Sequence, residues 1–271
     1  MFIDSHCHLD KLDLSAREGG LEGALDDARA AGVSGFLCVG AEPTELADVV
    51  ALAAERDDVW ASAGIHPLAV TGDRSQREAV TAVLDQVVAI GETGLDFFKQ
   101  DNDVDAQLAD FAWHLEEGGR RGLPVIVHTR AARQATIATI RRHGAPDVAG
   151  VLHCFAEDWE TAAAAMDLGY YVSISGIVTF RSAEALRDVV RRLPAERLLV
   201  ETDAPWLSPA PHRGRPNEPM RVRRVAECVA ELRGEPLEAI AEQTTENFFR
   251  LFSRAAPVAA APPQSSSNST S

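Results

Sequence analysis

Short apolar runs recur along the chain, and each has the length and the residue types of a buried β-strand. They cover residues 2–5, 33–40, 59–65, 87–91, 124–127, 150–152, 170–174 and 198–200. Segments in which apolar residues recur with helical spacing lie between them, for example at 21–31, 45–55, 104–115 and 183–190. Within 104–115, a single apolar stripe is formed by Val104, Leu108, Phe111 and Leu115.

Strands that alternate with helices of this length indicate βαβ units and a parallel sheet. Eight such units favour a single closed (β/α)8 barrel, the TIM-barrel form of the α/β class, because barrels of this kind contain about 250 residues. An open, doubly wound sheet is the alternative that the pattern leaves. In a barrel, functional residues are expected where the βα loops gather, at the C-terminal mouth of the strands.

Two more helical segments, at 221–232 and 236–251, follow the last predicted strand. In the second of them Phe248, Leu251 and the adjacent Phe252 form an apolar face that we expect to dock on the barrel. We therefore assign residues 1–254 to one barrel domain. Residues 255–271 are rich in Ala, Pro and Ser, and this low complexity predicts a disordered tail.

Side chains that can bind metal stand at or just after the ends of five predicted strands. His6 and His8 are two residues apart, so they point the same way along a strand while Cys7 points the other way. The complete set is His6, His8, Glu92, His128, His153 and Asp203. Each could have a purely structural role, as a core histidine, a rim ion pair or a turn aspartate. Their shared position at one barrel mouth makes a metal site the better interpretation.

Imidazole and carboxylate ligands without a thiolate suit Zn, Mn, Ni, Co or Fe, and carboxylates also accept Mg. Six ligands exceed what one catalytic ion takes, so we expect two divalent metal ions. Glu92 would bridge them, with His6, His8 and Asp203 around one ion, and His128 and His153 around the other. The ions would activate a shared water, and Asp203 would also act as the general base. Glu92 and Asp203 are therefore the predicted catalytic pair.

Other polar residues near the predicted mouth are weaker candidates. His66, Arg130 and Arg213 could contact a substrate phosphate, or they could form ordinary ion pairs and hydrogen bonds at the rim. Asp96 could orient a ligand or begin a loop. Trp206 could stack on a base or a sugar, or pack at the rim. Two more histidines, His114 and His143, lie in helical segments away from strand ends and are predicted to be at the surface.

The chain has 271 residues, of which 46% are hydrophobic and 25% are charged, as in ordinary globular proteins. Its net charge of −15 argues against a protein that wraps duplex DNA, but it permits a nuclease that takes one strand end into a small pocket. The four cysteines are widely spaced, which predicts reduced thiols. The sequence shows no signal peptide, no membrane-spanning run and no obligate protein partner, so we expect a cytoplasmic location.

The motifs resemble those of the TatD family of metal-dependent deoxyribonucleases, within the amidohydrolase-like barrels. They extend in order from residue 2 to residue 252: Phe2-Ile-Asp-Ser-His-Cys-His-Leu, Gly64-Ile-His-Pro, Gly91-Glu-Thr-Gly-Leu-Asp-Phe, Pro124-Val-Ile-Val-His-Thr-Arg, His153-Cys-Phe, Ser175-Gly-Ile-Val-Thr-Phe, Glu201-Thr-Asp-Ala-Pro-Trp-Leu, His212-Arg-Gly and Thr244-Thr-Glu-Asn-Phe. The resemblance implies a (β/α)8 fold, a divalent-metal site built from the six residues above, and hydrolysis of phosphodiester bonds in DNA. It further implies 3′-to-5′ digestion from single-strand ends.

A small-molecule metallohydrolase, such as a lactonase, an amidohydrolase or a phosphotriesterase, is the alternative function. Many barrels of that kind bridge their metals with a carboxylated lysine at a strand end. Lys11 and Lys99 are the only lysines, and neither ends an apolar run, which favours a nuclease. A barrel that only binds a partner is a further alternative, but all six predicted metal ligands are present.

Overall fold

The computed structural model describes residues 1–15, 17–98 and 103–255. Eight parallel strands form one sheet in sequence order. They are β1 (Phe2–Cys7), β2 (Val33–Gly40), β3 (Val59–Ala63), β4 (Ala89–Asp96), β5 (Val125–Arg130), β6 (Gly150–Leu152), β7 (Tyr171–Ile174) and β8 (Leu198–Val200). All eight strand predictions are confirmed, although β1, β4 and β5 continue farther than their apolar runs, into the polar residues that follow them.

Helices connect the strands and surround the sheet. They are α1 (Gly20–Ala30), α2 (Leu46–Ala54), α3 (Arg74–Val83), α4 (Val104–Arg121), α5 (Arg133–His143), α6 (Trp159–Asp167), α7 (Glu184–Arg192), α8 (Val222–Arg233) and α9 (Leu237–Leu251). The predicted single (β/α)8 barrel is therefore confirmed, and the open-sheet alternative is wrong.

Two hydrophobic cores sit on opposite faces of the sheet. The larger lies between the strands and the surrounding helices. The smaller fills the barrel interior, where Ile3, Val39 and Leu199 meet the end of α9. Phe248 and Phe252 of this last segment are fully buried, so the predicted docking face closes the barrel floor. The opposite end, where the strands terminate, is left open for polar side chains.

The first strand changes face along its length. Ile3 belongs to the interior core, whereas Cys7 belongs to the outer core, although the two residues are four positions apart. Strict alternation would place both on the same face, because side chains alternate with a period of two. The pairing of β1 with β2 shifts register between Asp4 and Cys7, which accounts for the change. The start of β1 thus supplies apolar contacts to the barrel interior, and its C-terminal end directs His6 and His8 inward at the mouth.

Polar contacts close the seam between β8 and β1. The buried Ser5 hydroxyl donates to the Val200 carbonyl oxygen at 2.9 Å. Buried Asp4 accepts hydrogen bonds from the backbone amide of Thr202 at 2.8 Å and from its hydroxyl at 2.5 Å. Burial, partly offset by these bonds, raises the pKa of Asp4 well above its ordinary value. These contacts fix the chain that follows β8 against β1.

Ala255, the first residue of the predicted tail, is buried against the barrel floor. The rest of that tail, 256–271, lies outside the described residues. The four cysteines are free thiols, as predicted. None of the helices in the described ranges is long and apolar enough to cross a bilayer.

We predict that Phe248→Ala lowers the free energy of unfolding by about 3–5 kcal/mol, because it removes a buried ring from the barrel floor. Its ring centroid lies 5.1 Å from that of Trp60 and 4.8 Å from that of Phe252. Urea denaturation would measure the loss. Glu246→Ala, at an exposed position on the same helix, is the matched control and should change stability little. A loss below about 1 kcal/mol for Phe248→Ala would contradict this account of the floor.

Candidate metal centre

Four predicted ligands, contributed by the end of β1, by the middle of β4 and by the loop after β8, converge at one side of the barrel mouth. The Nε2 atom of His6 lies 3.4 Å from Oε2 of Glu92 and 3.8 Å from Oδ1 of Asp203. The Nε2 atom of His8 lies 3.8 Å and 3.6 Å from the same two oxygens. We call His6, His8 and Asp203, together with this Glu92 oxygen, the first ligand group.

The other oxygen of Glu92 faces a second set of imidazoles. Its Oε1 atom lies 3.0 Å from Nδ1 of His128 and 2.8 Å from Nε2 of His153. These two ring nitrogens are 3.4 Å apart. We call His128 and His153, with this oxygen, the second ligand group. The structure therefore brings all six predicted ligands together, and one carboxylate touches both groups.

The fold holds Glu92 and His128 side by side through the close approach of β4 and β5. Gly94 has a φ of 134°, and a Cβ atom at that position would lie 2.1 Å from the His128 carbonyl oxygen. Only glycine fits a backbone this close in this conformation. A larger residue at position 94 would displace the His128 backbone from the cluster.

Burial and mutual charge set the ionisation of these groups. Burial alone would raise the pKa of Glu92, but the nearby imidazoles of His153, His66 and His128 hold the pKa well below its usual range. Burial likewise opposes the charged form of His153, yet Glu92 and Glu201 raise its pKa well above the ordinary value. Glu92 is consequently an anion at neutral pH, and it can neutralise cations on either side.

The cluster fits divalent metal ions. The Nε2 atoms of His6 and His8 are only 3.2 Å apart, so two lone pairs would repel each other unless a proton or a cation lies between them. His6 and His8 are almost fully buried, and the nearby donor set contains imidazole nitrogens and carboxylate oxygens. The sulfur of Cys7 points away, toward the Leu37 carbonyl oxygen. Such a donor set suits Zn²⁺ and related ions.

Two carboxylates behind the histidines were not among the predicted ligands. Glu201 lies directly after β8, is fully buried, and has Oε1 3.4 Å from Nδ1 of His153. The same oxygen accepts a hydrogen bond from the Cys154 amide at 2.7 Å. On the other side, Oδ2 of Asp96 lies 3.4 Å from Nε2 of His128. Carboxylates in these positions fix the ring tautomer, so that the other nitrogen presents its lone pair to a metal.

His66 joins the second ligand group from the loop after β3. Its Nε2 atom lies 3.5 Å from Oε1 of Glu92, and its Nδ1 atom accepts the Leu68 backbone N–H at 3.1 Å. The neutral ring therefore carries its proton on Nε2, the nitrogen that faces the cluster. Burial lowers the pKa of His66 to about 4, so the ring is neutral at physiological pH. This geometry suits a hydrogen-bond donor to a substrate better than a metal ligand.

The two predicted rim arginines each lie over an aromatic ring. Arg130 is exposed, with its guanidinium 3.9 Å from the Phe98 ring centroid and 3.9 Å from Oδ2 of Asp96. The guanidinium of Arg213 lies 4.1 Å from the ring centroid of Phe180. Asp96 combines both predicted roles, because it faces His128 and also accepts the Phe98 backbone N–H at 2.9 Å.

The surface prediction for His114 is wrong. This side chain is fully buried on α4, where Nδ1 donates to the Asp110 carbonyl oxygen and Nε2 accepts the Ile65 backbone N–H at 3.2 Å. It sits beside Phe111 and Leu115, on the face that α4 turns toward the sheet. His143 is partly exposed and pairs with Glu116, in agreement with the prediction.

Comparison with known proteins identifies the same family along nearly the whole chain. The family model described as "TatD related DNase" matches residues 3–253. The metal-dependent hydrolase YcfH of Escherichia coli strain K12 is 45% identical over 251 residues, which cover 92% of this chain and 95% of that protein. The metal-dependent hydrolase TatD of Mycobacterium tuberculosis is 38% identical over 263 residues, covering 92% and 97% of the two chains.

Solved structures agree with the sequence comparison. The crystal structure of YjjV, a TatD homologue from Escherichia coli K12, superposes with a TM-score of 0.88 at 34% identity and covers 94% of this chain and 98% of its own. A TatD-family hydrolase from Entamoeba histolytica, at 18% identity and a TM-score of 0.80, covers 92% of this chain and 97% of its own and supports the fold alone. The chain belongs to the TatD-related family of metal-dependent hydrolases.

Proposed function

We propose that this protein hydrolyses phosphodiester bonds at DNA strand ends with two divalent metal ions. One observation carries the proposal: one oxygen of the buried Glu92 carboxylate faces His6 and His8, and its other oxygen faces His128 and His153. The two sets adjoin where the rings of His6 and His153 stack, with centroids 3.9 Å apart. The cluster offers four imidazoles and two carboxylates, more ligands than one catalytic ion takes, which supports two ions. The family model, whose description names a DNase, supports the substrate class. Digestion from the 3′ end of a single strand is part of the proposal.

The first ligand group would hold one ion and the second ligand group the other, with Glu92 shared. The two ions would supply positive charge that acidifies water near neutral pH and stabilises the charge that develops on phosphate oxygens. Glu201 and Asp96 would orient His153 and His128 by accepting their outer N–H groups.

Asp203 is the residue best placed to accept the proton from the attacking water. Its side chain is 13% exposed, against 4% for Glu92, so it borders the open mouth. Burial opposes ionisation of Asp203, but His8 and His6 outweigh it and hold the pKa below the ordinary value. The carboxylate is therefore ionised at neutral pH and can take a proton, which it would later return to the leaving oxygen.

His66, Arg130 and Arg213 are the proposed substrate contacts. The Nε2–H of His66 faces the space beside Glu92 and would donate to a phosphate oxygen. The two guanidinium groups lie on the rim and would bind phosphates farther along the strand. Among the described residues, a bridging lysine of the kind found in small-molecule hydrolases gains no support, because Lys11 pairs with Glu45. Lys99 lies outside the described residues.

We predict that Glu92→Ala reduces metal-dependent cleavage about a thousandfold or more, because the loss of one bridging ligand disturbs both ions. The assay is hydrolysis of end-labelled single-stranded oligonucleotides by protein loaded with Mg²⁺, Mn²⁺ or Zn²⁺. A ladder that shortens from the 3′ end is the expected wild-type result.

Glu116→Ala, at an exposed position on α4, is the matched control and should cleave like the wild type. Asp203→Asn should lose cleavage because the amide cannot accept the proton. Unchanged turnover by a folded, metal-loaded Glu92→Ala protein would exclude the shared-carboxylate arrangement. No cleavage by metal-loaded wild type would exclude DNA as the substrate.

We predict that Glu201→Gln weakens metal binding about tenfold to a hundredfold, because the charge that orients His153 is lost. Titration of the metal-free protein with Zn²⁺ under a competing chelator measures the change. Glu196→Gln, at an exposed position just before β8, is the matched control. Equal zinc affinity for Glu201→Gln and wild type, with both proteins folded, would show that Glu201 does not support the site.

We predict that affinity for long duplex DNA is weak and nearly independent of salt, because a chain of net charge −15 makes few phosphate contacts by basic residues. Equilibrium binding measured between about 50 mM and 200 mM salt tests this. A steep fall in affinity, corresponding to many released counterions, would show that a broad phosphate-binding surface exists.

A further inference from the structure

Exposed apolar side chains gather around the barrel mouth. Among the described residues, the large hydrophobic side chains that remain exposed are Met1, Leu68, Phe98, Val104 and Trp206. Met1 lies at the closed end, next to β1, whereas the other four follow the C-terminal ends of β3, β4 and β8. Exposed apolar surface that borders polar residues is typical of a ligand-binding groove. Apolar surface next to the ligand groups indicates a ligand with apolar faces.

Trp206 forms one wall of the mouth beside the first ligand group. Its ring centroid lies 4.8 Å from that of His8, at an interplanar angle of 70°. Its backbone amide donates to the Asp203 carbonyl oxygen at 2.9 Å, which holds the residue close to the cluster. The side chain is nevertheless 49% exposed, so much of its surface is available for contact with a ligand.

Phe98 forms a second wall beside the second ligand group. Its backbone amide bonds to Asp96, the carboxylate that faces His128, and its side chain is 63% exposed. The guanidinium of Arg130 lies 3.9 Å from the ring centroid and adds a second planar group. Phe98 is therefore linked to the second ligand group through the Asp96 carboxylate, and Trp206 is linked to the first ligand group through His8.

The two walls stand across the mouth from each other. The strands follow sequence order around the barrel, so the ends of β4 and β8 are half a turn apart. Phe98 follows β4 and Trp206 follows β8, and both ligand groups lie between them. A chain molecule that placed a phosphate on the cluster would thus meet one aromatic ring on each side.

We propose that Trp206 and Phe98 stack on the nucleobases that flank the scissile phosphate, and that this pair of contacts selects an unpaired DNA strand end. The inference rests on the proposed function. Bases present flat π faces to aromatic rings whatever their sequence, and in a duplex these faces are already stacked. The net charge of −15 also argues against a broad basic groove, so stacking would add to the few contacts that Arg130 and Arg213 make outside the cluster.

Oligonucleotides that lack individual bases test the proposal. Each of the two nucleotides flanking the first scissile bond would be replaced in turn by an abasic sugar, which keeps the phosphate backbone. For the wild type, kcat/KM should fall about tenfold for each missing base, since stacking contributes about 1–3 kcal/mol per base. In Trp206→Leu one of the two abasic penalties should disappear, and in Phe98→Leu the other.

The comparison of penalties separates stacking from general damage, because each variant serves as its own reference. Trp206→Phe should keep the penalty, since an aromatic ring remains, whereas leucine supplies only apolar cover. Leu68→Ala is the matched control for an exposed apolar residue on the same rim, and it should keep both penalties. Equal abasic penalties in wild type, Trp206→Leu and Phe98→Leu would overturn the proposal.

A binding measurement gives a readout that does not depend on turnover. A phosphorothioate oligonucleotide with 2-aminopurine at the flanking positions should lose fluorescence on binding, and Trp206→Leu or Phe98→Leu should abolish the quenching at one position each. Wild-type cleavage that is equal with and without the bases would overturn stacking while leaving the proposed function intact. The absence of metal-dependent cleavage of either substrate would overturn both.

Discussion

The arrangement of the mouth depends on one buried carboxylate shared between two sets of imidazoles. Glu92 is 3% exposed, and burial of an unpaired carboxylate would cost several kcal/mol, so its partners must be held in place by the fold. His153 approaches one oxygen to 2.8 Å, and His6 lies 3.4 Å from the other. Every other feature of the site either places these rings or limits their ionisation.

The barrel meets this requirement through departures from regular strand geometry. The register shift in β1 moves His6 and His8 to the inner face, and a second irregularity lies between Ile90 and Thr93 of β4, where Glu92 stands. The opposite end of the barrel is packed with apolar side chains, where Phe248 and Phe252 fill the floor. Aromatic residues therefore differ between the two ends of the barrel: Phe248 and Phe252 are buried at the floor, whereas Phe98 and Trp206 are exposed at the mouth.

Much of this arrangement is predictable from sequence because apolar runs and the residues after them are local signals. The six proposed ligands follow such runs, and the barrel topology brings them together. Glu201 is harder to identify because its role depends on β8 standing beside the loop after β6, a contact that no local pattern encodes. The sequence does contain one signal for Glu201, because Glu201 and Asp203 are two positions apart, the same spacing as between His6 and His8. The burial of His114 can also be predicted from the sequence, since His114 lies one position before Leu115, which belongs to the apolar stripe of α4.

The charge of the chain and the size of the site together determine how much of a polymer it can recognise. A protein of net charge −15 gains little from extra phosphates, so additional length of strand adds little affinity. In the proposed function, recognition would come from a few groups near the ligand groups: His66, the guanidinium groups of Arg130 and Arg213, and the rings of Phe98 and Trp206. A site of this kind responds to whether one phosphate and its neighbouring bases are accessible, rather than to the base sequence. The proposed action at strand ends agrees with this property, since bases and phosphate are free at the same point there.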